Sequence, residues 1–286
     1  MMDASQSDYA VYRQLVSQLM CDEEQLPSLP TLTLEIRRAL AMPEVSMARL
    51  SKLVGKDPAL SALLMKYASS ALLRTRVAPK TLQEVLQVLG MRQVDRVVMV
   101  HSVKSLFTLH SAGHKQLFME AWQRLTLKAS ICAFLARTVG HVPADHAVLA
   151  SLLSEVGSLA VLSAFKDASL IPTPARYHEL CRAYSKSLGV ILLKKWRVDE
   201  EYVHIIREVG NWTLPGARQI ELLDLVNLSL YHAIRDTNAA AELPPLSSLS
   251  AYAKLAAPHN ELAADGCLRL VGEHWDDIYA LAAALR

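Results

Sequence analysis

One stretch near the middle of the chain, residues 147–162, limits most strongly what this sequence can fold into. It reads AVLASLLSEVGSLAVL, and its apolar residues recur at the three- and four-residue spacing of a helix with one strongly buried face. Its one ionisable residue is Glu155. A helix so poor in charge has to be wrapped by other elements, and the sequence therefore predicts a central helix inside a larger bundle.

Gly157 interrupts this predicted helix. A glycine inside a helix costs about 1 kcal/mol relative to alanine. A glycine at this position therefore predicts the close approach of another helix, or a functional site.

The rest of the chain carries helix signals and neither strand alternation nor a repeat. Asp57-Pro58 is an N-cap followed by a first helical residue, Thr81 and Glu84 form a capping box, and Gly90 is suited to a helix end. The predicted fold class is all-α. In the second half, the predicted helices are 117–138, 176–187, 188–196, 199–209, 217–236, 247–256 and 265–284.

Composition narrows the class of protein. Hydrophobic residues make up 52% of 286 residues, which is enough for a sizeable core. No uncharged apolar run approaches the roughly 18 residues that span a bilayer, and the N-terminus lacks a signal-peptide pattern. The four cysteines form no CxxC motif, which predicts reduced thiols in a cytoplasmic protein without a zinc site or disulfides.

Charge is distributed unevenly along the chain. Residues 49–104 carry ten basic and three acidic side chains, a net charge of +7, whereas residues 238–286 carry −3. A basic segment can attract phosphate-bearing partners, but no aromatic residues interleave with these charges as single-strand binders require. Solvated helix faces are therefore expected, and nucleic-acid binding is not.

The sequence around Gly157 resembles the central helix of the HD phosphohydrolase superfamily. That helix typically reads Leu-Leu-His-Asp-Ile-Gly-Lys-Leu, and here the corresponding residues are LLSEVGSL. Ser154 stands at the position of the family's His, Glu155 at its Asp and Ser158 at its Lys. The framework residues match, and the residues that would carry the chemistry do not.

Four motifs in the first half are more specific. They are LPSLP (26–30), DPALSALL (57–64), ASSA (68–71) and LQVLGMR (86–92), and in this order and spacing they resemble the HDOD family over roughly residues 25–230. Ser69 departs from the family's common Asn. The resemblance implies an HD-like helical bundle with a smaller N-terminal helical subdomain. It also implies bacterial signal regulation, often alongside cyclic-di-GMP or two-component systems, without known catalysis.

The expected organisation has four parts. These are an N-terminal segment (1–24), the N-terminal helical subdomain (25–108), the HD-like bundle (115–236) and C-terminal helices that pack on that bundle (237–286).

HD enzymes hold metal ions with clustered histidine and aspartate ligands. By the resemblance, their ligand positions fall here on Arg124, Ser154, Glu155 and Ser185, on Val209-Gly210, and within Leu228–Leu230, one turn after Asp224. Glu155 alone keeps a carboxylate, so no metal, cofactor or catalytic residue is expected. We hypothesise that Arg124 and Glu155 form an ion pair in place of the metal; the alternative is that Arg124 reaches solvent.

Other candidates have simpler explanations. His110 and His114 have a spacing that suits a metal on a helix, but Gly113 argues against that helix and favours a surface pair. His141 and His146 flank a loop without partner ligands. Five methionines are predicted to be core residues, namely Met42, Met47, Met65, Met91 and Met99.

The sequence thus predicts a non-catalytic regulatory protein that acts by binding, with a signalling protein as the expected partner and no membrane contact. The expected binding surface is the cleft between the two bundles or a basic face formed by Arg74, Arg76, Arg92 and Arg96. One alternative is a degenerate pocket for a phosphorylated small molecule such as a cyclic dinucleotide. Another is a metal-dependent phosphohydrolase with unrecognised ligands.

Overall fold

A computed structural model describes residues 4–21, 27–68, 79–106, 112–165, 171–214, 216–235 and 243–285. Its regular structure confirms the all-α prediction, with one isolated bridge between Leu262 and Leu268 in the described ranges. The helices are α1 (Ala4–Cys21), α2 (Thr31–Leu40), α3 (Met47–Val54), α4 (Pro58–Ala68), α5 (Leu82–Leu89), α6 (Met91–Leu106), α7 (Ala112–Val139), α8 (Ala144–Leu153), α9 (Val156–Ser163), α10 (Pro174–Lys195), α11 (Glu200–Glu208), α12 (Leu222–Ile234), α13 (Ser250–Ala253), α14 (Arg269–Glu273) and α15 (Trp275–Leu285).

The chain divides into two compact units. The smaller unit is residues 28–106, and the larger unit combines residues 1–27 with residues 107–286. The N-terminal segment therefore clusters with the larger unit, where α1 packs on α10 and Arg13 Nε donates to Tyr184 Oη at 3.1 Å.

The smaller unit is built from helices with side-chain caps. Ser46 and Thr81 accept hydrogen bonds from the backbone N–H three residues on, as N-caps do. Asp57 Oδ1 accepts from the N–H groups of Ala59 and Leu60, at 2.9 and 3.0 Å, which confirms its capping role. The core beneath these caps comprises apolar residues of all five helices, including Ile36, Leu50, Leu64, Leu86 and Val98.

The larger unit is organised around α7. This helix packs against α8, α12 and α15, while α9 packs against α10. Its buried residues follow helical spacing and include Trp122, Leu125, Ala129 and Cys132. The larger unit also contains Trp196, whose indole N–H donates to the carbonyl of Pro27 at 2.9 Å.

One stretch in the described part of the chain, Ala144–Ser163, is long and apolar enough to cross a membrane by length and composition alone. Its most apolar window is 83% buried inside the structure, as for the core helix of a bundle.

Several predicted helix bounds were wrong. The two helices predicted over 176–187 and 188–196 are one continuous helix, α10, because Gly189 is accommodated inside it. The two C-terminal predictions are each divided: 247–256 into a 3-10 helix (Leu246–Ser248) and α13, and 265–284 into α14 and α15.

The methionine prediction was wrong for three of the five residues. Met42, Met65 and Met91 are 46%, 44% and 42% exposed, whereas Met99 is buried and Met47 packs at the edge of the smaller unit's core. Short helices with two or more apolar stripes leave one stripe outside the core, and spacing alone does not say which one.

Candidate functional site

The predicted central helix is broken at the two residues that the resemblance singled out. It ends as α8 at Leu153 and resumes as α9 at Val156, and Glu155 lies between them with φ −122° and ψ 12°. Ser154 Oγ donates to the carbonyl of Ser151 at 2.7 Å, and Ser158 Oγ donates to that of Glu155 at 2.7 Å. These serine bonds satisfy carbonyl groups at the break. The single-helix prediction was therefore wrong at this point.

The break places the carboxylate of Glu155 against two cations of α7. Lys128 Nζ donates to Glu155 Oε1 at 2.5 Å and to Ser154 Oγ at 2.8 Å. Arg124 Nη2 lies 3.8 Å from Glu155 Oε2. Arg124, Lys128, Ser154 and Glu155 together are called the central ionic cluster below.

The predicted ion pair between Arg124 and Glu155 is present, but Lys128 is the nearer cation and was missed. The Lys128 side chain is 1% exposed, against 27% for Arg124 and 19% for Glu155. A signal did exist in the sequence, because Lys128 lies one helical turn after Arg124 and shares a helix with the apolar residues Ala129, Ile131 and Cys132.

The electrostatics of the central ionic cluster favour its charged form. Burial on its own raises the pKa of Glu155, but the charges of Lys128 and then Arg124 outweigh burial and hold that pKa below its ordinary value. One turn after Lys128, burial raises the pKa of the Cys132 thiol to about 12. The cluster is therefore ionic at neutral pH, and the thiol beside it is protonated.

Gly157 confirms the predicted close approach of another helix. A Cβ atom at Gly157 would overlap the carbonyl oxygen of Ser185 and lie 2.9 Å from the backbone N of Gly189, both on α10. Ser185, one of the four positions taken from the resemblance, thus meets this region through its backbone. The contact is tight enough that any larger residue at position 157 requires a backbone shift.

α10 also contacts the first turn of α9, next to the cluster. Tyr177 Oη donates to the carbonyl of Ser158 at 2.8 Å. Burial raises the pKa of Tyr177 well above its ordinary value and raises that of Cys181 to about 12. Neither group is a nucleophile at neutral pH, since both are protonated.

The donor set does not fit a divalent metal ion. Among the described residues, no group of three or more His, Cys, Asp or Glu side chains is close enough to hold one. At the positions carried over from the HD resemblance there is one carboxylate, and it faces a lysine and an arginine. Metal-activated water chemistry needs several neutral or anionic ligands, which this site does not supply.

The other predicted residues do not gather at this site. Arg92 and Arg96 lie on α6 of the smaller unit, the first exposed and the second half-buried, while Arg74 and Arg76 lie outside the described residues. Of the other histidine pair, His110 lies outside the described residues, but Gly113 and His114 lie in the first turn of α7, so the prediction that Gly113 opposes a helix there was wrong.

Of the two loop histidines, His146 Nε2 lies 3.1 Å from Glu201 Oε2, and its ring meets Tyr202 edge-on. His141 adopts a positive φ of 71° in the turn before α8. Among the described residues, neither histidine belongs to a group of His, Cys, Asp or Glu side chains that could hold a metal ion.

Comparison with known proteins supports the fold. A model of the HDOD domain matches residues 26–211. An uncharacterized protein of Treponema pallidum (strain Nichols) is 24% identical over 199 residues, which are 64% of this chain and 37% of that protein. The chain thus spans well under half the length of this curated relative.

Solved structures share the architecture at low identity. A candidate metal-dependent phosphohydrolase from Shewanella amazonensis SB2B superposes with a TM-score of 0.75 at 18% identity, covering 96% of this chain and 99% of that one. An HDOD domain protein of unknown function from Geobacter sulfurreducens gives 0.60 at 18% identity, covering 95% and 96%. A candidate signal transduction protein from Marinobacter aquaeolei VT8 gives 0.52 at 18% identity, covering 97% and 65%.

Proposed function

This chain belongs to the HDOD domain family, and we propose that it is a non-catalytic regulatory module that acts by binding a signalling protein. The observation that carries the proposal is the central ionic cluster. The buried ammonium of Lys128 contacts the carboxylate of Glu155, which by the resemblance stands at the position of a metal-binding Asp of HD enzymes.

The charges of this cluster oppose metal-dependent hydrolysis. A divalent cation near Glu155 would have to displace Lys128, whose ammonium is 1% exposed, and would also face Arg124. Displacing a buried ammonium leaves it without a partner, which costs several kcal/mol. The internal cation thus supplies the positive charge that a metal would bring, but carries no water to activate.

The smaller unit has the surface that suits a protein partner. Residues 28–106 carry twelve basic and five acidic side chains, a net charge of +7, although the whole chain has only +2. Five of the eight large apolar residues exposed in the described part of the chain also lie there, namely Leu34, Met42, Met65, Val88 and Met91. Exposed apolar groups beside positive charge suit an acidic protein surface with apolar contacts.

Membership of the family and the printed description of one structural neighbour, a candidate signal transduction protein, agree with a regulatory role. We place the protein in the cytoplasm, in a bacterial pathway that uses two-component or cyclic-di-GMP signals. Reduced cysteines are consistent with that location, since the described cysteines form no disulfide.

The catalytic arm of the test is a hydrolysis assay. Purified protein is incubated with bis-p-nitrophenyl phosphate and Mn²⁺, Mg²⁺ or Fe²⁺, and its metal content is measured. We expect no turnover above buffer and no bound metal in stoichiometric amount. Turnover that disappears in Glu155→Gln and persists in the exposed control Glu179→Gln would contradict the proposal.

The binding arm uses affinity capture of partners with a charge-reversal control. Arg92→Glu on the smaller unit should weaken capture of a specific partner, because it removes an exposed positive charge. Lys115→Glu, an exposed reversal on α7 of the larger unit, should leave capture unchanged. Equal loss in both variants would point to a non-specific charge effect.

Calorimetry with cyclic-di-GMP tests the alternative that the protein binds a cyclic dinucleotide. Heat with a saturable 1:1 or 2:1 stoichiometry would favour a nucleotide-binding module over a protein-binding one.

A further inference from the structure

A cavity of about 350 Å³ lies in the larger unit, away from the central ionic cluster. It is formed by α11, the loop after α11, the first turn of α12, and α13. Ligand pockets commonly have volumes from about 300 Å³ upward, and one water takes about 30 Å³, so this space suits a ligand of about ten heavy atoms.

The polar end of the cavity is a lysine held by two carboxylates. Lys254 Nζ donates to both oxygens of Asp224, at 2.8 and 2.9 Å, and lies 3.9 Å from Glu221 Oε2. Asp224 and Glu221 also form the capping box of α12, which fixes both side chains relative to the helix. A Cβ on Gly216 would come within 2.9 Å of the ammonium, so glycine lets this loop pass close to Lys254.

The other end of the cavity is apolar and aromatic. Ile205 and Leu222 are buried, and Trp212 is half-buried with its ring edge-on to Tyr231 at 6.1 Å. The carbonyl of Trp212 accepts from the N–H of Ser250 at 2.9 Å, which ties the loop to α13. The aromatic wall is therefore fixed in place before any ligand arrives.

The charge of the lining is unbalanced. Its ionisable side chains are three carboxylates, one lysine and one histidine, namely Glu201, Glu221, Asp224, Lys254 and His204. Lys254 neutralises Asp224, and Glu201 lies 3.1 Å from His146, but Glu221 is 57% exposed and touches Lys254 only at 3.9 Å. A phosphate or carboxylate entering here would meet more negative than positive charge, whereas a cation would gain a carboxylate and an aromatic face.

We propose that this cavity binds a guanidinium or primary ammonium group carried on a short apolar stem. The cationic head pairs with Glu221 beside Lys254, and the stem packs on Trp212 and Ile205. The source is either a free small molecule or an arginine or lysine side chain of a peptide, and the two share this chemistry.

The proposal stands apart from the proposed regulatory function. It uses no residue of the central ionic cluster and none of the smaller unit. Loss of agmatine binding would leave the hydrolysis and capture tests unaffected, and failure of those tests would leave the cavity as it is.

The test measures agmatine binding to the full chain by calorimetry and by NMR. We expect saturable 1:1 binding that weakens with salt, since ionic contacts carry it. Glu221→Gln removes the negative charge but keeps an acceptor for the capping bond, and should weaken binding about tenfold, the equivalent of 1.4 kcal/mol. Trp212→Leu should weaken it by a factor of about 2–5, because leucine offers the stem less apolar area than the indole ring.

Controls keep the test falsifiable. Glu179→Gln, an exposed substitution on α10 outside the cavity, should bind agmatine like the wild type, and thermal melts should show each variant folded. Tighter binding of Gly-Gly-Arg-Gly-Gly than of agmatine identifies a peptide source, and the reverse identifies a small molecule. Three results would each overturn the proposal. The first is no binding of agmatine at a 10-fold molar excess over about 1 mM protein. The others are an affinity for agmatine that is unchanged in Glu221→Gln, and preferential binding of succinate or phosphate.

Discussion

The larger unit contains two buried lysine–carboxylate pairs that differ in their surroundings. In the central ionic cluster, Lys128 is 1% exposed and also donates to Ser154, and its partner Glu155 lies 3.8 Å from Arg124. In the second pair, Lys254 and Asp224 are each 10% exposed and border a cavity of about 350 Å³. The ammonium of the first, closed pair is almost fully covered, whereas the second, open pair borders a cavity that a ligand can enter.

The difference shows that a lysine–carboxylate pair can have different roles in different surroundings. A buried ion pair adds little net stability compared with apolar residues of similar size, so neither pair is needed to hold the bundle together. The ammonium of the closed pair is 1% exposed, so it is not available to a ligand. The open pair keeps its charges close to an accessible surface, where they can select a ligand by sign.

The largest effect is expected from breaking the closed pair. Lys128→Met leaves the carboxylate of Glu155 buried with only Arg124 at 3.8 Å, and should lower the free energy of unfolding by about 3–5 kcal/mol. Urea denaturation followed by circular dichroism measures this loss. The same substitution at exposed Lys115 should change stability by less than about 0.5 kcal/mol.

A double variant shows whether the cost comes from the unpaired charge. Lys128→Met with Glu155→Gln removes both partners and should recover most of the loss, because no buried charge is left alone. If the double variant is as unstable as the single one, the cost is one of packing and the closed pair has no special electrostatic role.

A third buried polar group, His232 on α12, tests the rule that buried charge needs a partner. Its side chain is 2% exposed, and neither ring nitrogen has a hydrogen-bond partner among the described residues. Burial, with a smaller contribution from Arg235, lowers the pKa of His232 to about 4. The folded protein therefore keeps this imidazole neutral.

Acid should destabilise the protein through His232. The unfolded chain binds the proton near pH 6.5 and the folded chain near pH 4, so the free energy of unfolding falls as pH drops through this window, by about 3 kcal/mol in total. Urea midpoints between pH 7 and pH 4 measure the slope. His232→Leu should flatten it, and an unchanged slope in that variant would assign the acid sensitivity to other groups.

Part of the structure could be predicted from the sequence because it depends on contacts between residues close together in the chain. The caps at Asp57 and Thr81 depend on residues two or three positions apart, and both are present. The second bond of the predicted capping box differs, because the Glu84 carboxylate accepts from the N–H of Lys80. Gly157 was also informative, because a glycine in an apolar helix has few causes other than close packing. Glu155 was identifiable as the only ionisable residue of the apolar stretch 147–162.

Other features depend on contacts that a single sequence does not encode locally. The pairing of Lys128 with Glu155 joins positions 27 residues apart, and the break at Glu155 lies in a segment whose periodicity favours one helix. The cavity beside Lys254 is formed by segments from α11 to α13, and no motif marks it. The exposed methionines of the smaller unit were predicted to be core residues because residue spacing identifies an apolar face of a helix but does not show whether another helix packs on that face.

The smallest effect is expected from breaking the open pair. Lys254→Met leaves Asp224 without its ammonium, but Asp224 still accepts from the backbone N–H of Glu221, so the loss should be about 1–3 kcal/mol and below that of Lys128→Met. Agmatine should then raise the melting temperature of Lys254→Met more than that of the wild type, because its cation can take the place of the lost one. A loss as large as that of Lys128→Met, with no response to agmatine, would show that solvent and ligand do not reach Asp224, and the distinction between a closed and an open pair would disappear.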